Sequence, residues 1–204
     1  MTPGHRPAGP GRPRDAATHR AVLAATRRLL LDSGYPALTF EAVAIAAGTT
    51  RTTLYRWWPT RGALVLEAAA DHLHIGTVPD TGDSHHDLRT AVRQLTTTFS
   101  DPLARIVILA AISNLDGDAS MAATFRDTWV YPWRRTATDA LQRAIHRGDL
   151  PADADPQFLL NVIVGTVFQS TITVATPTTD KLDDQLTHLI LGPSSSPRSE
   201  ARRQ

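Results

Sequence analysis

Apolar positions recur along this chain at helical spacing, and no stretch alternates as a strand does. Between Asp15 and Ser33, Val22, Ala25, Leu29 and Leu30 fall on one side, with Arg20, Arg27 and Asp32 elsewhere. Gly34 stands where a C-terminal cap belongs, and Pro36 follows it. Thr39 is placed to cap a short second helix that has Glu41 in its first turn and runs to about Ala47. Gly48 supplies a tight turn. Thr49 or Thr50 caps a third helix through about Trp57; Pro59 ends it, and Thr60 caps a fourth. The pattern then predicts helices over 60–75, 85–99, 102–115, 119–147, 155–175 and 180–191. Gly76 to Asp83 reads as a loop, Pro132 as a kink, and Gly148-Asp149-Leu150-Pro151 as a stop. The expectation is an all-α chain of about nine helices. It divides into a disordered basic arm (1–14), a three-helix domain (15–59), a larger helical domain (60–192) and a flexible tail (193–204).

Composition narrows the function. The chain has 204 residues and 42 % hydrophobic content, enough for a full core. No apolar run approaches the ~18 residues needed to span a bilayer. Met1 to Arg14 has no apolar segment of the signal-peptide kind. A soluble, cytoplasmic protein with no membrane partner is expected. There is no cysteine, which excludes disulfides, thiol catalysis and Cys-ligated zinc. The net charge of +1 hides an asymmetry. Residues 1–70 hold nine arginines against four acids, +5; residues 71–204 hold twelve basic and sixteen acidic residues, −4. A basic N-terminal third suggests that this end meets a polyanion.

Three short helices in some 45 residues, the last two joined at a glycine, match the helix-turn-helix plan. Ala42, Val43, Ala46 and Ala47 are small enough for close helix crossing, and Gly48 allows the left-handed turn. Leu54 and Trp58 face inward, while Thr50, Arg51, Thr52, Tyr55 and Arg56 reach outward. The run Thr39-Phe-Glu-Ala-Val-Ala-Ile-Ala-Ala-Gly-Thr-Thr-Arg-Thr-Thr-Leu-Tyr-Arg-Trp-Trp-Pro-Thr-Arg-Gly-Ala-Leu64 resembles the DNA-binding domain of the tetracycline-repressor (TetR/AcrR) family, over roughly residues 15–72. Trp58 stands where Phe is usual, Arg61 where Lys is common, and Gly62 where an acid is common. The resemblance implies that Arg51 and Thr52 read base edges in the major groove, where arginine is the commonest reader of guanine. It implies that Tyr55, Arg56 and Trp57 contact phosphate or sugar, and that Thr39, Phe40, Thr50, Thr60 and Arg61 belong to the same interface. The arm Gly9-Pro-Gly-Arg-Pro-Arg14 contains Gly-Arg-Pro, similar to the core of an AT-hook, which would put Arg12 and Arg14 in a minor groove.

For the C-terminal two-thirds, the resemblance implies small-molecule binding and dimerisation. Met121, Phe125, Trp129, Tyr131 and Trp133 cluster near Pro132, and Phe125, Trp129 and Trp133 are candidate cavity residues. Leu103, Ile106, Val107, Ala110 and Ala111 are candidates for the opposite wall; the same spacing also suits a packed core. Phe158, Val162, Gly165 and Phe168 of one helix, and Leu186 and Leu189 of the next, are the candidate dimer interface. His72 and His74 do not share a helix face, and His85-His86 lies near a loop, so no metal and no cofactor is expected. The expectation is a homodimeric repressor released from a pseudo-palindromic DNA operator by an unidentified small molecule. An activating regulator uses the same residues. An enzyme is disfavoured, since no nucleophile–base motif or phosphate loop is present.

Overall fold

A computed structural model describes residues 12–113, 119–174 and 180–193, and every regular element among them is helical. The helices are α1 (Arg12–Ala37), α2 (Phe40–Ala47), α3 (Arg51–Trp57), α4 (Arg61–Ala68), α5 (Ala70–Leu73), α6 (Ser84–Ser100), α7 (Pro102–Ser113), α8 (Ala119–Phe125), α9 (Tyr131–Arg147), α10 (Pro156–Phe168) and α11 (Asp180–Leu191). Residues 1–11 of the expected arm and 194–204 of the expected tail lie outside the described residues. Helix α1 starts at Arg12, ahead of the expected Asp15, because Pro13 is tolerated in a first turn whose N–H groups have no helical partner. The side chains of Arg12 and Arg14 lie outside the described residues. The chain divides into two compact units that meet between Ala70 and Asp71, so α4 belongs to the N-terminal unit and not to the second domain expected from residue 60.

The N-terminal unit is built on repeated capping. The Thr39 hydroxyl accepts from the Ala42 N–H (3.1 Å), Thr50 from Thr53 (3.2 Å) and Thr60 from Ala63 (3.1 Å). Each satisfies one of the otherwise orphaned amides of a helix start. Gly48 closes α2 with φ 63° and ψ 37°, a conformation only glycine adopts without strain. Its N–H bonds Ile45 O (3.2 Å) and the next N–H bonds Ala44 O (2.9 Å). The expected break at Gly34 is also present, at φ 74°. Val22, Leu30, Val43, Leu54, Leu64 and Val65 form the buried core.

In the second unit α6 is central and packs against α7, α9, α10 and α11. Leu88, Ala91, Val92, Leu95 and Phe99 make its buried stripe, at helical spacing. A buried carboxylate ties α11 to it: Asp183 accepts from Arg93 Nε (3.1 Å) and from the Thr96 hydroxyl (3.2 Å). The helix count is close to the expected nine, and two of the expected helices are divided. The run 60–75 breaks at Ala69, where φ −102° and ψ 5° leave the helix. The run 119–147 contains a π-helical turn, Arg126–Val130, in which the Tyr131 N–H reaches back five residues to Arg126 O. Pro132, which follows, has no N–H, so the chain widens where a helical bond is missing anyway. A second π-helical turn, Gln169–Thr173, follows α10. Among the described residues no single helix is long and apolar enough to cross a membrane.

Helices α6 and α7 meet at 89°, and Asp101 sits at the corner. Its carboxylate accepts from the Ala104 N–H (2.8 Å) and lies 3.0 Å from His72 Nδ1. Burial pushes the Asp101 carboxyl up, but the Ala104 N–H, the His72 ring and the Leu103 N–H together outweigh it and hold its pKa below the ordinary value. A lowered folded-state pKa contributes stability that is complete above the unfolded value and is lost as pH falls through the folded one. Asp101→Ala is therefore expected to cost about 1 kcal/mol at pH 7. The gap from the parent should narrow on acidification in urea titrations; a gap that does not change with pH would discount the cap.

Candidate functional site

Helix α3 has only seven residues, too few to be stable alone, so its position must come from tertiary packing. Leu54 (0 % exposed) and Trp58 (2 %) supply it. A buried indole needs a partner for its N–H. Trp58 Nε1 donates to Glu67 Oε2 at 2.6 Å, and Glu67 Oε1 lies 3.0 Å from His19 Nε2. The His19 ring stacks on Trp58 with centroids 5.0 Å apart. One carboxylate of α4 thus ties together α1 and the end of α3.

With that side anchored, the opposite side of α3 faces out. Arg51, Thr52, Tyr55 and Arg56 are all exposed. Tyr55 is not loose: its ring meets Phe40 edge-on with centroids 4.6 Å apart, and the Arg51 guanidinium lies 5.9 Å from its centre. A hydrogen bond to the Tyr55 side chain, with its charge interaction, raises the Arg51 pKa further above its ordinary value, so the cation is permanent. Trp57 is half-buried, edge-on to both His19 and Trp58, with Arg56 over its ring at 5.6 Å. Thr39, Thr50 and Thr60 have their hydroxyl oxygens engaged as caps.

The second unit holds a cavity of about 550 Å³ that is partly open to the surface. Its walls come from α6 (Leu95, Thr98, Phe99), α7 (Ile108, Ala111, Ile112), the 119–134 segment (Ala119, Ala122, Phe125, Arg126, Trp129, Val130, Trp133, Arg134) and α10 (Val164, Phe168), with Leu73 and Ile75. Trp133 Nε1 donates to Gln94 Oε1 (3.3 Å), which holds the indole in place. The volume and largely apolar lining are those of a small-molecule site.

Comparison with known proteins accounts for both units. The family pattern described as bacterial regulatory proteins, tetR family, matches residues 22–68, and the tetracyclin repressor-like C-terminal domain matches residues 78–190. The chain belongs to the TetR family. The HTH-type transcriptional regulator YdeS of Bacillus subtilis is 33 % identical over 162 residues, 78 % of this chain and 80 % of that protein. The crystal structure of the TetR family transcription regulator SCO0332 is 34 % identical, with a TM-score of 0.58 over 86 % of this chain and 98 % of that one. AibR, solved in complex with isovaleryl coenzyme A and operator DNA, shares the fold at 18 % identity, with a TM-score of 0.64 over 86 % and 99 %. As a TetR-family member the chain is a transcriptional regulator and not an enzyme.

Several of the expected site residues are also engaged within the fold. Phe40 is 9 % exposed and supports Tyr55 from beneath. Arg61, expected on the DNA side, is half-buried: Nη1 donates to Leu38 O at 2.6 Å and the guanidinium lies 4.4 Å from the centre of the Tyr35 ring. Phe125, Trp129, Trp133 and Ala111 line the cavity, and Leu103, Val107 and Ala110 do not. Those three are buried on other sides of α7, and Ile108, Ala111 and Ile112 face the space instead. The unbroken apolar run Ile106–Ile112 carries no phase information, and a one-residue error turns the helix by about 100°. Phe168, half-buried, is a cavity residue set edge-on to Phe99, and Leu186 is 3 % exposed within the unit. Sequence reading missed His19 and Glu67 altogether; the signal was the need of a buried Trp58 for an acceptor.

The Arg61 geometry gives a discriminating prediction. Arg61→Ala should lower stability by about 2 kcal/mol, from a lost charge-assisted hydrogen bond and ring contact. Thermal denaturation reads this. An unshifted melting curve combined with a weaker salt dependence of DNA binding would return Arg61 to the phosphate-contacting set.

Proposed function

We propose that this TetR-family regulator is a homodimeric repressor that binds a pseudo-palindromic operator through α3 and leaves it when a small molecule occupies the cavity. The observation that carries the reading is the two-sided character of α3, with Leu54 and Trp58 buried and Arg51, Thr52, Tyr55 and Arg56 exposed on one short helix. A helix anchored on one side and bearing cations and hydroxyls on the other suits a major groove. Arg51 and Thr52 read bases; Tyr55, Arg56 and Trp57 contact the backbone, with Thr39 and Thr60 at helix starts beside them. Arg12 and Arg14, in the first turn of α1, add minor-groove contacts.

Dimerisation follows from the need for two recognition helices about 34–36 Å apart on one face of the duplex. Helices α10 and α11 have the surface for it. Phe158 is 63 % and Leu189 72 % exposed, Val162 is half-buried, and a side chain at Gly165 would meet nothing within 4 Å. Large apolar side chains exposed on neighbouring helices suit burial by a second copy. The cavity supplies the effector site. Leu73 in its wall follows α4 closely in the chain, a short covalent path from effector to DNA-binding unit. AibR, of the same fold, was solved with both an acyl coenzyme A and operator DNA, so one such fold can hold both ligands.

Footprinting of the DNA upstream of the protein's own gene tests the operator. A protected pseudo-palindrome is expected, with Arg51→Ala binding it about 10- to 100-fold more weakly, the worth of one good base contact. No protected site at low salt, or equal protection by the variant, would overturn the reading. The dimer is tested by sedimentation: the parent is expected at twice the chain mass and Phe158→Glu at the mass of one chain. A variant that still sediments as a dimer would move the interface away from α10.

A further inference from the structure

The cavity wall between α7 and α9 has an unusual register. Ala122, Arg126, Val130 and Arg134 all line the space, as do Phe125, Trp129 and Trp133. Both series step by four residues. In a straight α-helix each such step overshoots a turn by about 40°, so Arg134 would stand about 120° away from Ala122. The π-helical turn Arg126–Val130 holds one extra residue and removes most of that drift. The widened turn therefore brings two arginines onto a wall that is otherwise apolar.

No carboxylate accompanies them in the lining. Arg134 is half-buried and held by neutral oxygens, Gln157 Oε1 at 3.3 Å and Asn161 Oδ1 at 2.9 Å. Those bonds orient the guanidinium without cancelling its charge. Arg126 is exposed, one turn from Val130 on the same row. Two exposed arginines of this unit are matched with acids, Arg89 with Asp184 (2.9 Å) and Arg93 with Asp183 (3.1 Å). The stacked pair Phe125 and Trp129, centroids 6.1 Å apart, offers a flat apolar surface beside the two cations.

We propose that the effector is an amphipathic anion: an apolar chain or ring seated among Phe99, Phe125, Trp129 and Phe168, with a carboxylate or similar anionic head held by Arg126 and Arg134. This rests on the reading of the cavity as the effector site and goes beyond it in naming the chemical class. A guanidinium binds a carboxylate through charge-assisted, often paired, hydrogen bonds. A neutral ligand of the same shape gains only the burial of its chain, and a cationic one is repelled.

Three probes with one chain and different heads test this: decanoate, decanol and decylammonium, titrated by calorimetry into the full-length protein at pH 7.5 below micelle-forming concentrations. Decanoate is expected to bind at least tenfold more tightly than decanol, and decylammonium more weakly than either. The decanoate-to-decanol ratio should fall to about twofold or less in Arg126→Gln/Arg134→Gln and be kept in Arg126→Lys/Arg134→Lys. Reading a ratio within one variant separates the head group from any change in the cavity itself. Decanol or decylammonium binding as tightly as decanoate to the parent would overturn the anion assignment while leaving the cavity as an effector site. A preference that survives the glutamine pair would also overturn it. Failure of all three probes to bind would overturn the anion assignment and the effector-site reading together.

Discussion

The exposed side of α3 depends on a carboxylate that points the other way. Glu67, itself exposed, receives the N–H of the buried Trp58 indole and lies beside His19, and so joins three helices. A seven-residue helix has little stability of its own, and a buried indole without an acceptor costs a full desolvation penalty. The same contact therefore satisfies the tryptophan and positions the helix. The outward side chains need no fastening to the core, and they are left to face a partner. Tyr55 is the partial exception. Its ring rests on Phe40, so it reaches outward from a fixed base, at low conformational cost on binding.

The C-terminal unit solves a different problem, that of keeping a space open in a close-packed interior. Aromatic residues alone would fill a straight helix-on-helix contact. Pro132 removes one backbone donor, the helix widens ahead of it, and the wall facing α7 keeps a four-residue register across the break. π-helical turns are rare and are frequent at functional sites. Here the turn coincides with Trp129 and precedes Trp133, whose indole is held by Gln94. The cavity is a consequence of where the backbone can tolerate a missing bond.

What could be read from sequence follows the same division. Capping is local chemistry, so Thr39, Thr50, Thr60, Gly48 and the stop at Gly148 were all legible from residue type and spacing. The direction of α3 was legible because Leu54 and Trp58 alternate with polar neighbours at helical spacing. The roles of Arg61 and Phe40 were not, because the same outward-facing pattern fits a phosphate contact and a bond to Leu38 O. The phase of α7 was lost in seven consecutive apolar residues, Ile106–Ile112. The 60–75 helix was extended too far since nothing in Glu67-Ala-Ala-Ala-Asp71 marks a break; only the φ/ψ of Ala69 does. Arg126 and Arg134 passed unnoticed because an arginine on a helix reads first as a solvated surface residue, and nothing in residue type or spacing marks the widened turn that sets them on the cavity wall.

Linkage sets how much the cavity must accomplish. Operator release by an effector needs a differential affinity between DNA-competent and DNA-incompetent states, and couplings of this kind run to about 1–3 kcal/mol. Burial of an apolar chain is non-directional and distinguishes poorly between two arrangements of the same walls. Two guanidiniums on one row are different. Their hydrogen bonds to a single anionic head depend steeply on distance and angle, so a small change of register between Arg126 and Arg134 alters affinity far more than an equal shift among Phe99, Phe125 and Phe168. The π-helical turn between them is where such a register change is cheapest, since its bonds are already longer-ranged than those of the flanking helices. In the proposed arrangement the aromatic walls set how tightly the effector is held, and the arginine pair sets how strongly its binding depends on the conformation of the unit.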